Sequence, residues 1–250
     1  MLTAVAIAGL PEVKPGDDLA TLIIGALGAH RPLASGDVLV VAHKVVSKAE
    51  GRTRKLSDVR PGARAIELAR EQAKDARHVQ VVLDESRALL RAARGVIICE
   101  THHGFVCAHA GVDASNAPAP DTVLLLPRDP DASARALRAR VASLASVAPG
   151  VVITDSFGRA WRHGQLDIAI GCAGLRPLDD WRGRSDASGR ELKATSIAVA
   201  DQLAAAADLT RTKDGMEPAV LVRGAARHVT PDDGPGAASI IRPKAQDLFR

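Results

Sequence analysis

The apolar run Val151-Val152-Ile153 ends in Thr154-Asp155-Ser156, so a strand would deliver a carboxylate and a hydroxyl together at its polar end. Oxygen donors aimed from a rigid element suit a hard cation such as Mg²⁺ or Mn²⁺ shared with substrate phosphates. An Asp after a strand also serves as a helix cap. Behind it crowd Arg159, Arg162, His163, Gln165 and Asp167, with Gly158 and Gly164 between them. Charge at that density is costly to bury unless paired. A site for an anionic ligand explains it, because guanidinium groups grip carboxylate or phosphate bidentately while Gln165 and Asp167 orient a polar substrate. The plainer reading of the same stretch is a solvated loop.

A second carboxylate, Asp113, stands in the turn-forming run Gly111-Val112-Asp113-Ala114-Ser115-Asn116 and would complete a metal site with Asp155. The stretch Glu100–His109 offers imidazoles, a thiol and a carboxylate, but adjacent His102 and His103 diverge on any regular element. No paired C-x-x-C or H-E-x-x-H accompanies them, which argues against zinc. Neither common phosphate loop occurs, so a nucleotide would be held by Lys44, Lys48 and the backbone around Leu10–Val13. No G-x-S-x-G elbow marks a serine hydrolase.

The elements that must position these groups alternate in type. Strands are expected at Thr3–Ala8, Val38–Ala42, Val79–Leu83, Val96–Glu100, Thr122–Leu126, Val151–Thr154 and Ala219–Val222. Helices are expected at Leu19–Leu27, with Asp17 or Asp18 as N-cap, and at Ala63–Lys74, Glu85–Ala93, Asp131–Ser146 and Leu192–Ala207. No linker or repeat divides the chain, so residues 1–250 read as a single domain whose lobes, if any, are interleaved.

Composition bounds the function classes. With 250 residues, 46% hydrophobic and 25% charged, the chain can bury a core and is not disordered. Aromatic residues make up 2%, with three Phe, two Trp and no Tyr, so stacking platforms for nucleic acid are scarce. A net charge of +4 suits anionic small molecules as well as it suits nucleic acid. Cys99, Cys107 and Cys172 are odd in number and match no redox spacing. With no basic leader and no membrane-length apolar run, the expectation is a cytoplasmic protein with neither nucleic-acid nor membrane partners.

Taken in order, Gly9-Leu10-Pro11-Glu12, Pro15-Gly16-Asp17-Asp18-Leu19, Lys44-Val45-Val46-Ser47-Lys48-Ala49-Glu50-Gly51, His103-Gly104-Phe105-Val106-Cys107, Ala110–Asn116, Leu126–Asp131, Thr154–Arg162 and Val199-Ala200-Asp201 form collinear blocks. The chain resembles the coenzyme F420-0:L-glutamate ligase (F420 gamma-glutamyl ligase) family over nearly its whole length. The resemblance implies a mixed-sheet, two-lobed α+β ligase fold in an intertwined homodimer. It implies GTP-dependent joining of L-glutamate to F420-0 and extension through gamma-linked glutamates. Carried over block by block, it puts Leu10, Pro11, Glu12, Val13, His43, Lys48 and Asn116 on GTP. Asp113, Asp155 and Ser156 would hold Mg²⁺ or Mn²⁺, with K⁺ as a further ion.

Two departures stand out: His43 replaces a smaller or amide residue, and Ser156 replaces the commoner Thr. The run Thr210–Gly215 is unlike the family's acidic-or-amide loop, and Lys213 there would repel a cation. Because the sequence stops at Phe249-Arg250, the flavin-binding reductase domain of some relatives is not expected. The expected mechanism is phosphorylation of the F420-0 carboxylate followed by amine attack, with Arg159, Arg162 and Asp167 as catalytic groups. His103, His109 and Asp167 are candidates for taking the amine proton. Rival readings are a metal-dependent nucleotide phosphohydrolase using the same aspartates, and a basic binding module.

Overall fold

The computed structural model describes residues 1–28, 32–212 and 214–248. In chain order its elements are β1 (Thr3–Ile7), α1 (Leu19–Leu27), β2 (Val38–Ala42), α2 (His43–Ala49), β3 (Thr53–Lys55), α3 (Ala63–Gln72) and α4 (Ala76–Asp84). Then come β4 (Ser86–Ala93), β5 (Val96–Thr101), β6 (Val106–Ala108), β7 (Thr122–Leu124), α5 (Pro130–Ala145), β8 (Gly150–Arg159) and β9 (Arg162–Ala173). The chain continues through β10 (Leu178–Asp180), β11 (Ser196–Ala198), α6 (Val199–Asp208) and β12 (Ala219–Arg223). The expected mixture of helices and strands around a mixed sheet is found.

The main sheet runs β1-β12-β2-β8-β9. Only β2 and β8 are parallel; the other pairs are antiparallel. Its central strands are aliphatic without alternation because both faces are covered. Leu39, Val41, Val151, Ile153 and Leu221 pack beneath α1, α2 and α5, whereas Val38, Val40, Val152, Val220 and Val222 pack against α6. Asp18 caps α1 and Asp129 caps α5 through the backbone N–H groups three residues on. Gly171 is required where α5 meets β9, since a Cβ there would lie 2.3 Å from the Pro130 carbonyl oxygen. The neighbouring Asp131 carboxylate accepts from the backbone N–H groups of Cys172, Ala237 and Ala238, tying helix, sheet and C-terminal segment together.

A separate core lies between β2 and β8 in sequence: Ala65, Leu68, Val79, Val82, Ile97, Cys99 and Val123 bring α3, α4, the sheet β4-β5-β6 and the pair β3-β7 together. Here two expectations exchange. The stretch Val79–Leu83, expected as strand, lies inside α4. Asp75 caps that helix, and its buried face carries Val79, Val81 and Val82. The stretch Glu85–Ala93, expected as helix, is strand β4. The Arg94-Gly95 turn, with φ of 53° and 76°, reverses it onto β5. That is the geometry a two-residue hairpin demands, and it overrides the helix preference of Ala, Leu and Arg. The long helix expected from Leu192 begins at Val199, after β11 pairs with β10.

Candidate active site

A one-residue arrangement of backbone sets the site. In the parallel pair, Ala42 stands opposite Thr154. His43 opens α2 immediately after β2, while β8 runs straight on through Asp155 and Ser156. Clefts of α/β proteins form at the carboxyl ends of parallel strands, and an open cleft lies here. Leu10, Pro11, Glu12 and Val13 form one wall, and His43, Lys44 and Lys48 of α2 a second. Asp155, Ser156 and Asp167 form its floor; Asn116, Asp208, Arg211 and Glu217 complete it.

His43 is almost fully buried. Its Nδ1 lies 3.2 Å from Ser47 Oγ, and its Nε2 is 3.2 Å from Asp155 Oδ1 yet makes no hydrogen bond. The contact is electrostatic, off the hydrogen-bonding direction. Asp155 Oδ1 accepts from the Ser156 backbone N–H at 2.8 Å. Asp167 is buried and saturated: it accepts from Thr154 Oγ1 at 2.8 Å, from Ser156 Oγ at 2.6 Å and from the Arg211 guanidinium. Ser156 therefore spends its proton on Asp167, and toward any other group its oxygen acts only as an acceptor.

The cations of the cleft are paired. Lys48 Nζ donates to Glu12 Oε1 at 2.6 Å, its side chain only 8% exposed, so it is no solvated surface lysine. Lys44 Nζ binds Asp113 Oδ2 at 2.7 Å and Ser115 Oγ at 2.5 Å. Burial pushes the Asp113 carboxyl up, but the Lys44 ammonium and the Ser115 N–H and hydroxyl outweigh it, leaving the acid below its ordinary value. Asp113 thus stands behind Lys44 and outside the cleft lining. Among the described residues no three His, Cys, Asp or Glu side chains converge as a ready metal site. The oxygen donors of Asp155 and Ser156 nevertheless suit a hard cation, whereas Asp113 is engaged by Lys44 and Ser115.

Arg159 and Arg162 lie outside the cleft lining. They flank the turn of the β8-β9 hairpin, where Arg159 donates to the carbonyls of His163 and Gly164. His102, His103 and His109 go to three places. The His102 ring meets the Asp84 carbonyl, the His103 ring those of Pro127 and Arg128, and His109 lies edge-on to His78. Arg211 was not foreseen from sequence; it reaches the floor from the segment between α6 and β12. Lys213 lies outside the described residues. Cys99, Cys107 and Cys172 are free and buried. Among the described residues no helix is long and apolar enough to cross a membrane.

A mixed-sheet α+β scaffold thus gathers carboxylates, a hydroxyl and ammonium groups in one cleft. The chain belongs to the F420-0:gamma-glutamyl ligase family, whose model matches residues 9–224. It is similar to the coenzyme F420:L-glutamate ligase of Methanopyrus kandleri, at 46% identity over 96% of this chain and 94% of that one. It is also similar to that of Methanothermobacter thermautotrophicus, at 40% over 100% and 99%, and of Haloarcula marismortui, at 42% over 98% and 94%.

Proposed function

We propose that this chain is a GTP- and divalent-metal-dependent ligase that joins L-glutamate to coenzyme F420-0 and extends a gamma-linked glutamate tail, working as an intertwined homodimer. The observation that carries the reading is the meeting of Asp155-Ser156 with Lys44, Lys48 and Arg211 in one cleft of a chain whose relatives are named coenzyme F420:L-glutamate ligases.

A carboxylate is too poor an electrophile for an amine, so the reaction goes through an acyl phosphate. A carboxylate oxygen of F420-0 attacks the γ-phosphorus of GTP, the bond to GDP breaks, and the acyl phosphate forms. The glutamate amine then attacks the acyl carbon, phosphate leaves with its electron pair, and the amine gives up a proton. The backbone of Leu10, Pro11, Glu12 and Val13, with His43, Lys48 and Asn116, holds GTP, and Lys44 and Lys48 offset phosphate charge as point cations. Asp113, Asp155 and Ser156 would hold Mg²⁺ or Mn²⁺, which would neutralise charge on the transferring phosphoryl group, and K⁺ would be a further ion. Asp167, saturated by Arg211 and two hydroxyls, acts by fixing Ser156 rather than by taking a proton.

The test is to incubate the protein with F420-0, GTP, L-glutamate and Mn²⁺ or Mg²⁺ and resolve products by mass. Glutamate-sized increments that require every component are expected. GTP turnover indifferent to F420-0 and glutamate would assign the same aspartates to a phosphohydrolase instead.

A further inference from the structure

Trp161 stands in the turn of the β8-β9 hairpin. The chain has five aromatic side chains of the Phe, Trp and Tyr types, yet this one is 81% exposed. It occupies the turn between β8 and β9 with φ of +60°, a left-handed conformation that glycine adopts freely and a bulky side chain adopts at a steric cost. Neither burial nor backbone preference favours a tryptophan there. Strained residues persist chiefly where they serve a site, and the arm that carries this one leaves the sheet at the cleft: Asp155 opposite Ile168 and Ser156 opposite Asp167 are successive pairs midway along the same hairpin, and the two acids and the serine line the cleft.

From Asp155 to Arg159 the strand advances by about 13 Å, which separates the tip from the reacting groups by the reach of an extended ligand. Arg159 and Arg162 pair across the turn, and Arg159 locks it by donating to the His163 and Gly164 carbonyls. An exposed indole on a turn flanked by Arg159 and Arg162 fits a planar ring bearing an anionic tail.

We infer that the hairpin tip is the acceptor-binding arm: Trp161 stacks on the deazaflavin ring and Arg162 meets the phospho-acid tail, while the tail's terminal carboxylate reaches the cleft floor. This rests on the ligase reading above. It moves Arg159 and Arg162 from phosphoryl transfer to acceptor recognition, with Arg159 as a positioning residue for the turn.

Trp161→Gly tests it with little risk to folding, because glycine relieves the left-handed φ. The KM for F420-0 should rise about tenfold or more, the loss typical of one aromatic stacking partner, while the KM for GTP and the oligomeric state stay as in wild type. Trp161→Phe should recover part of the loss. In a Trp181→Phe background the sole remaining tryptophan, Trp161, should be quenched by F420-0 in a saturable manner, and not by a ring-less phospho-carboxylic acid. An unchanged KM for F420-0 in an active Trp161→Gly enzyme overturns the inference, as does an equal rise in both KM values or dissociation of the oligomer. A wild-type protein that ligates no glutamate to F420-0 instead overturns the ligase reading itself.

Discussion

His43 and Asp155 face one another at 3.2 Å across the ends of two parallel strands, without a hydrogen bond between them. The relationship follows from register: with Ala42 opposite Thr154, the next residue of each strand must meet its neighbour. The imidazole is buried and braced by Ser47, so Asp155 has a rigid polar wall behind it and the cleft in front.

Asp155→Asn keeps that shape and removes the charge. Turnover should fall by about 10²–10³-fold, as when an electrostatic partner of a transition state is lost, and the apparent Mn²⁺ requirement should rise. Thermal melting should shift little, because the amide oxygen can still accept from the Ser156 backbone N–H. Wild-type rates with unchanged metal dependence would make Asp155 a strand cap and nothing more.

Arg211 and Asp167 form the most buried ion pair of the site, their side chains 9% and 6% exposed. Arg211→Met strands a carboxylate that two hydroxyls alone cannot compensate, and should cost about 3–5 kcal/mol. Combining it with Asp167→Asn should recover most of that loss, since the double variant leaves no buried charge. Denaturant melts of the four proteins give the coupling directly; additive losses would mean the pair does not hold the floor together.

Much of this was legible in the sequence, and the failures have causes. Val38–Ala42 and Val151–Thr154 were readable as strands because burial on both faces leaves continuous aliphatic runs, and the strand end at Asp155 pointed to the cleft. Val79–Leu83 misled because its β-branched residues belong to one face of a capped helix, and Glu85–Ala93 because its helix formers were overruled by a hairpin turn. The charges from Arg159 to Asp167 were readable as one cluster, yet a hairpin spreads them over an arm, and only Asp167 returns to the floor. Arg211 gave no signal at all: it arrives by a chain reversal after α6, and no local spacing encodes it.

Acid sensitivity should come from the facing imidazoles of His78 and His109. Burial, with Lys74 and His78 adding repulsion, holds the His109 imidazole down at about 4, and His78 is lowered chiefly by burial as well. Between about pH 6.5 and 4 the unfolded chain takes up protons that the folded one refuses. The stability present above pH 6.5 is therefore lost progressively as pH falls through that window. His109→Asn, which tolerates the left-handed φ of 54° at this position, should flatten the decline of Tm between pH 7 and 4.5. Parallel curves for the two proteins would assign the decline to other groups.

Lys48 distinguishes a nucleotide contact from a structural ion pair. Its stem is buried in the last turn of α2 and its ammonium sits on Glu12, whose own side chain is 53% exposed. If the pair served only the fold, Lys48→Ala and Glu12→Gln would lower Tm alike and leave GTP titrations superimposed on wild type. If Lys48 offsets phosphate charge, Lys48→Ala should raise the apparent KM for GTP about tenfold, equivalent to ~1.4 kcal/mol and within the range for a charge-assisted hydrogen bond. Glu12→Gln, by releasing the ammonium from a competing carboxylate, should not raise it to that extent. Lys48→Arg should recover part of the loss, because the charge returns with a different geometry. Initial rates against GTP concentration for these three variants, each compared with its own Tm, separate the two roles.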